Sequence, residues 1–465
     1  MMGIPKAGEP ERRNRVMNII ICGAGEVGRH AAEVLGEQAG NNIIIIDHDR
    51  EKLAALEESM DVQTLHGSGT QGEVLLEAGC DGADLFIAAT NLDEINLLAA
   101  SIAKGVGAHQ VIARVHHSTY FERRGLDYGK YLGIDHLVCP EYTTALAIAQ
   151  TLRSPGALAV ERFARGRIEM QALPVDANAA AVGKALATLA LPRSTRVAAI
   201  ERQGQAFIPD RETVIQAGDI VTLVGEVEGF DKSRRLFHSE PVGRRRIMII
   251  GGTSLAVWLC RALRRENFSL RLFVSERDRA EELAAKLDWV TVLTDDPADT
   301  ETLQEQRVDQ VDAFVTVTND DEHNILTGAR AKSMGARTAI TVMQRSTYLH
   351  LLEHIGIDKA FSPRVTAVSE ILHLVDESPV KKLATLAEDV ADVYELRVPA
   401  AARNVIGKPL VEIKLPEKTL LAAIQHGEDV RIPGANDTLA IGDTLVVIAP
   451  AGSRQQLMKA FSIRE

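Results

Sequence analysis

The chain has little cysteine. Cys22, Cys80, Cys139 and Cys260 are spread over 465 positions with no CxxC pair. That spacing argues against a disulfide frame or a zinc site and fits a reducing compartment. Long apolar runs are also missing. No stretch approaches the ~20 residues that a membrane span requires, so the chain is not expected to cross a membrane alone. Basic charge is scarce too: Asp and Glu number 64 against 52 Lys and Arg, and the net charge of −12 opposes general attraction to nucleic acid or anionic lipid. Two basic clusters break the trend, Arg12-Arg13 and Arg244-Arg245-Arg246, the second reading as a solvated linker or a partner contact ahead of a strand. Residues 1–15 are polar, lack the apolar core of a signal peptide, and read as a disordered leader or a misassigned start.

What is present is a repeat. Thr90-Asn91-Leu92-Asp93-Glu94-Ile95-Asn96 returns as Thr318-Asn319-Asp320-Asp321-Glu322-His323-Asn324, an offset of 228 (319 − 91). The same offset relates Lys104 to Lys332, Gly107-Ala108 to Gly335-Ala336 and Ser118-Thr119-Tyr120 to Ser346-Thr347-Tyr348. Single cores rarely grow beyond ~250–300 residues, so each half is expected to fold around its own core.

The first half opens with the β-branched run Val16 to Cys22, the turn Gly23-Ala24-Gly25-Glu26-Val27-Gly28, and a helical pattern after it. Gly23 permits a tight turn, Gly25 lets the backbone approach a pyrophosphate, and Gly28 lets the helix pack close to the sheet. A second run, Ile43 to Ile46, ends in Asp47, beside His48, close to the spacing of ~20 residues at which a dinucleotide-binding chain places its ribose acid. A carboxylate there accepts both ribose hydroxyls and repels the 2′-phosphate of NADP, which favours NAD. Further strands, Gln63 to Leu65, Leu85 to Ala89 and Val111 to Val115, bring Ser68, Thr90, Asn91 and Arg114 toward the same crevice. Arg114 is read as a side contact to a phosphate or as a surface ion pair.

The second half repeats the layout with altered chemistry. Its turn reads Gly251-Gly252-Thr253-Ser254-Leu255-Ala256, and Thr253 replaces the glycine that touches a pyrophosphate. Leu272 to Glu276 is expected as the second strand, with Glu276 in the ribose-acid position if one residue is inserted. The site is expected to bind a smaller ligand, to bind differently, or to be empty. A second repeat pairs Gly183-Lys184-Ala185-Leu186 with Gly407-Lys408-Pro409-Leu410, and Gly218-Asp219 with Gly442-Asp443. These are small α+β modules without paired carboxylates, clustered histidines or a nucleophile motif.

This order resembles the TrkA family of Trk potassium-uptake proteins, with paired KTN (RCK) and TrkA-C domains, from Met17 to the C-terminus. The resemblance is carried by IIICGAGEVG, IIIIDHDREKL, ATNLDEINLLAASIAK and the Gly-Lys-x-Leu to Gly-Asp modules. It implies an α/β chain with two Rossmann-like doubly wound parallel sheets, each followed by a small α+β TrkA-C-type domain. The expected domains are a leader at 1–15, a first Rossmann-like domain at 16–138, a crossover helix and TrkA-C-type domain at 139–230, a second Rossmann-like domain at 245–362, and a second helix and TrkA-C-type domain at 363–465. It also implies a cytoplasmic NAD(H)-binding regulator, responsive to ATP and ADP, that forms a homotetramer ring. Such a ring gates a membrane potassium transporter (TrkH/TrkG-like) and meets the inner face of the cell membrane only through that partner. By position, Gly23, Gly25 and Gly28 carry the pyrophosphate, Asp47 the adenosine ribose, and Asn91 adjoins the nicotinamide half. Many family members have an acid after the third strand, where this chain has Gly67-Ser68-Gly69. The amphipathic stretches Tyr142 to Leu152 and Val365 to Val375 are expected either to cross over to a neighbour or to pack as core helices.

The alternative is an NAD-dependent oxidoreductase, which needs a proton donor at the nicotinamide carbon. His66, Lys104, His116 and His117 are the candidates. The histidines at 116 and 117 are adjacent, so their rings diverge, and Lys104 recurs where the glycine turn is degraded. Both facts favour structural roles and a chain that is not an enzyme.

Overall fold

A computed structural model describes residues 16–37, 40–121, 125–153, 159–163, 168–192, 194–226, 230–237, 244–264, 267–295, 299–345, 355–375, 379–386, 390–427 and 429–463. The charged leader with Arg12-Arg13 and the repeated Ser346-Thr347-Tyr348 lie outside them. The chain forms two compact units, one holding the segments up to Ala149 and from 243 to Val375, the other holding the rest.

The first unit contains two parallel sheets. Strands β1 (Asn18–Cys22), β2 (Asn42–Asp47), β3 (Gln63–His66), β4 (Leu85–Ala88), β5 (Gln110–Arg114) and β6 (His136–Val138) lie in the order β3-β2-β1-β4-β5-β6. That order reverses between β1 and β4, where a doubly wound fold opens its ligand crevice. Isoleucine-rich β1 and β2 pair in parallel from Asn18↔Asn42 to Cys22↔Ile46. Helices cover both faces, so these strands read as continuous apolar runs rather than alternating ones. Two clusters result, one around Ile19, Ile21 and Ile45 and one around Ile20, Phe86 and Val111.

The small module strands follow as β7 (Ala159–Phe163), β8 (Ile168–Pro174), β9 (Thr195–Arg202), β10 (Gln205–Phe207) and β11 (Ile220–Glu226). The second parallel sheet has β12 (Arg245–Ile250), β13 (Phe268–Phe273), β14 (Thr291–Leu293), β15 (Ala313–Thr316), β16 (Ala339–Val342) and β17 (Lys359–Phe361), in the matching order β14-β13-β12-β15-β16-β17. The helices expected after each sheet are Pro140–Arg153 and Pro363–Val375. The second packs as a core helix within the chain: Ala367, Val368 and Ile371 are buried in the first half's core against Ile19, Leu35 and Ile43, and the helix packs on Glu26–Glu37. From the first helix, Tyr142 meets Trp258 of the second half edge to face, with ring centroids 4.7 Å apart. Both contacts are made to the other half of the same chain.

The second unit holds two five-stranded antiparallel sheets, β10-β9-β11-β8-β7 and β18-β19-β22-β20-β21, the latter built from β18 (Val380–Leu386), β19 (Ala391–Arg397), β20 (Leu420–His426), β21 (Asp429–Arg431) and β22 (Thr444–Pro450). They share one apolar core in which Ile168, Met170 and Val224 join Val393, Val446 and Ile448. The repeated Gly-Asp pairs are turn devices. Gly218 and Gly442 adopt φ of 83° and 86°, and the buried carboxylates of Asp219 and Asp443 accept the N–H groups of Gln216 and Ala440 at 2.8 Å. Among the described residues no helix is long and apolar enough to cross a membrane.

Candidate nucleotide-binding site

The glycine turn leaves β1 at its carboxyl end. Gly23 has φ of 116°, and a Cβ there would lie 2.9 Å from the Ala89 carbonyl, so only glycine fits. At Gly28 a Cβ would overlap the Gly23 carbonyl oxygen. Gly25 differs from both: nothing lies within 4 Å of where its Cβ would be. The chain's own packing does not require glycine at 25. Its carbonyl accepts the Arg29 N–H at 2.8 Å, which makes it the residue before the first helical turn, where N–H groups lack intrahelical partners. A side chain is thus missing at the point where an anion would meet the positive end of a helix.

Asp47 ends β2 and is 9 % exposed. One carboxylate oxygen accepts the Ala24 N–H at 2.6 Å and the other the Asp49 N–H at 2.9 Å, so the acid braces the glycine turn from behind. His48 is exposed, with Nδ1 3.2 Å from Asp47 Oδ1. Ser68 follows β3, its hydroxyl 2.9 Å from that of Thr70, and the neighbouring glycine at 69 is set by packing, because a Cβ there would overlap Cys22 Sγ. Burial pushes the Cys22 thiol up to about 11.

In front of the strand ends lies a crevice of about 1030 Å³, lined from the first half by Ala24, Gly25, Glu26, Val27, Asn91 and Arg114, together with Arg29, Lys52, Glu141 and both histidines at 116 and 117. Gly23, Gly28, Asp47, His48, Ser68 and Thr90 are not part of this lining. Its far wall comes from the second half: Ser254, Asn319, Gln344 and Arg364. Arg114 Nη2 is 3.5 Å from Glu141 Oε1, which His116 Nδ1 also approaches at 2.8 Å, while the His117 ring turns to Thr119 Oγ1 at 2.9 Å. Burial lowers the Arg114 pKa against the pull of Glu141. Burial works to raise Glu141, but His116 and Arg114 hold its carboxyl below the usual range. Arg114 Nε and Glu141 Oε2 are buried with no hydrogen-bond partner among the described residues. A cleft of this size, with an open helix start and an orphaned guanidinium N–H, fits a phosphate-bearing ligand.

The most repeated motif in the sequence does different work. Asn96, fully buried, accepts the Thr90 N–H at 2.8 Å and donates to the carbonyls of Thr90 and Arg114, both at 3.0 Å, which locks the ends of β4 and β5 together. Asp93 accepts the N–H groups of His116 and His117 at 2.8 Å. Asn324 and Asp321 repeat every contact on Thr318, Val342, Gln344 and Arg345. Lys104 likewise donates to the His109 carbonyl and the Asp135 carboxylate, and Lys332 to the Arg337 carbonyl and the Asp358 carboxylate. Sequence reasoning did not find Glu141 and Arg364 as site residues. Their signal was a matched position: each follows the proline that starts its crossover helix.

The second half closes its own turn. Thr253 Oγ1 accepts the Ala256 N–H at 3.3 Å and donates to the Val317 carbonyl at 2.9 Å, capping the helix Ser254–Ala262 from within. Strand β13 runs from Phe268 and ends at Phe273, earlier than Leu272 to Glu276 had suggested, and Ile250 pairs with Phe273 as Cys22 pairs with Ile46. By that register Val274 stands at the place of Asp47. Glu276 is exposed and precedes the helix Arg277–Lys286, as Asp49 precedes Arg50–Ser59. Arg279 donates to the Gly252 carbonyl at 3.0 Å. Among the described residues no group of three or more His, Cys, Asp or Glu could hold a metal.

Comparison with known proteins agrees with this architecture. The TrkA-N domain family matches residues 19–140 and 247–363, and the TrkA-C domain family matches 170–238 and 393–462. A Trk system potassium uptake protein TrkA homolog of Archaeoglobus fulgidus is 34 % identical over 445 residues, covering 96 % of this chain and 100 % of the relative. The Trk system potassium uptake protein TrkA of Vibrio alginolyticus is 34 % identical over 439 residues, covering 93 % and 95 %. The fold matches that of the GsuK channel bound to NAD, with a TM-score of 0.61 at 18 % identity over 98 % of this chain and 80 % of that one. The relatives carry the names of transport-system proteins, not of oxidoreductases. With both domain types matched twice and near full-length relatives above 30 % identity, the chain belongs to the TrkA family of Trk potassium-uptake system proteins.

Proposed function

We propose that this chain is an NAD(H)-binding regulatory subunit of a potassium-uptake system. It works as a homotetrameric ring docked on a TrkH/TrkG-like transporter subunit at the inner face of the cell membrane. The observation that carries the reading is Gly25, a side chain omitted where the protein itself has no need of the space. A pyrophosphate sits against the N–H groups of Gly25 to Gly28, Asp47 takes the adenosine ribose, and Arg114 and Asn91 meet the ligand from the β4 and β5 ends. ATP and ADP share the adenosine diphosphate portion and compete for the same crevice. The nicotinamide cofactor acts here as a ligand whose occupancy is read as shape. Because the crevice has walls from both halves, a ligand that binds one hinge angle better than another shifts the balance between them, by ~1–3 kcal/mol per site in typical allosteric proteins. Several sites in a symmetric ring add, which is enough to move a gate.

Calorimetry on the full chain with NADH, NAD+, NADPH, ATP and ADP tests the reading. One NADH per chain is expected, with NADPH much weaker, and Asp47→Asn should lose NADH affinity while narrowing the NADH-to-NADPH gap. Undiminished NADH affinity in Asp47→Asn would refute the ribose assignment. Consumption of NADH with small carbonyl substrates would refute the regulatory reading. Potassium flux through vesicles holding the transporter, with and without this chain and NADH, tests the gating.

A further inference from the structure

Resting on the nucleotide reading above, we propose that Arg364 is a phosphate-binding residue which the second half supplies to the first crevice, and that Glu26 is its built-in competitor. Ligand arrival then exchanges one ion pair for another at the joint between the halves. The two crossover helices start alike, Pro140-Glu141 after β6 and Pro363-Arg364 after β17. Each delivers its second residue to the other half's crevice. Arg364 lines the first crevice, and Glu141 lines a smaller one of about 330 Å³ beside Gly252, Thr253 and Ser254. The residues exchanged carry opposite charge: the cation Arg364 comes to the open glycine turn, and the carboxylate Glu141, which also lines the first crevice, reaches the self-capped one.

Arg364 Nη1 is 3.3 Å from Glu26 Oε2, with the arginine side chain 28 % exposed and the glutamate 63 % exposed. Glu26 is the first residue of its helix, so its carboxylate sits at the end of the dipole that attracts anions. An ion pair this exposed is weak. A phosphate entering the helix start offers the same guanidinium a forked, more highly charged partner and displaces Glu26. Arg364 begins the helix whose Ala367, Val368 and Ile371 lie in the first half's core, so its change of partner acts directly on the packing between the halves.

Calorimetry on the full chain with NADH tests this, with adenosine as a probe lacking phosphates. Arg364→Gln should weaken NADH by ~10-fold or more, the loss of a charge-assisted contact, with partial recovery in Arg364→Lys and no change for adenosine. Glu26→Gln should strengthen NADH by ~2–5-fold, and by less in the Arg364→Gln background, because the competitor matters only while its arginine is present. Wild-type NADH affinity in Arg364→Gln would overturn the proposal, as would an equal or larger gain from Glu26→Gln without the arginine. An equal loss for adenosine would assign Arg364 a structural role and also overturn it. A wild-type chain that ignores NADH altogether would instead refute the nucleotide reading itself and take this proposal with it.

Discussion

Replacing Gly25 by threonine copies the second half's turn into the first and separates stability from binding. No atom lies within 4 Å of the new Cβ, so no clash arises. At the position before a helix threonine and glycine are about equally good, and losing a glycine from the unfolded chain stabilises by ~0.4–1 kcal/mol. The variant should therefore unfold within about 1 kcal/mol of the wild type, on the stable side. Its hydroxyl takes an N–H of the first turn, as Thr253 takes that of Ala256, and its methyl fills the space in front of the pyrophosphate position. Thermal unfolding with and without NADH is the assay. At a ligand concentration 100 times the dissociation constant, binding stabilises the wild type by ~2.7 kcal/mol, and Gly25→Thr should gain none of this. A variant that keeps the NADH-dependent shift would refute the assignment of Gly25 to ligand contact. One that loses ~2 kcal/mol or more without ligand would show that the glycine serves the fold. Gly28→Ala gives the contrast, with an expected cost of ~1–3 kcal/mol because its Cβ overlaps backbone.

Asn96→Ala and Asn324→Ala should each cost ~2–4 kcal/mol in denaturant unfolding, since both leave buried strand-end groups unpaired; a near-neutral result at either would refute the clamp. Glu370, on the second crossover helix, has its pKa raised by burial, against the Thr143 hydroxyl at 3.0 Å. A carboxyl raised in the folded state contributes stability that is full below its unfolded value and lost as pH rises through the native one. Glu370→Gln should therefore melt higher than wild type at pH 8, the gap closing by about pH 4; a gap that does not vary with pH would exclude this cause. Burial pushes the thiols of Cys80 up to about 11 and Cys260 to about 12, so neither should react with iodoacetamide at pH 8 until the protein is unfolded.

The two-sheet architecture was legible because both halves repeat it and because isoleucine runs flanked by a glycine turn admit few other folds. The three-residue strands His136–Val138 and Lys359–Phe361 carried too little pattern to be read. In the second half, the search for a ribose acid drew the second strand toward Glu276, whereas pairing fixes it at Phe268–Phe273. Asn91 was read as a crevice residue from its place at a strand end, and it lines the crevice; the equally repeated Asp93 and Asn96 beside it hold strand ends instead, a need both halves share whether or not a nucleotide binds. Arg364 was invisible as a site residue because its partner, Glu26, lies in the other half, and no local spacing connects them.

The helix Pro363–Val375 completes an apolar core whose other members were synthesised hundreds of residues earlier. On the ribosome, the core around Ile19, Leu35 and Ile43 lacks Ala367, Val368 and Ile371 until the chain has grown past them. The part made first is finished late. A nascent chain arrested before residue 363 should be more open to protease than one released at full length.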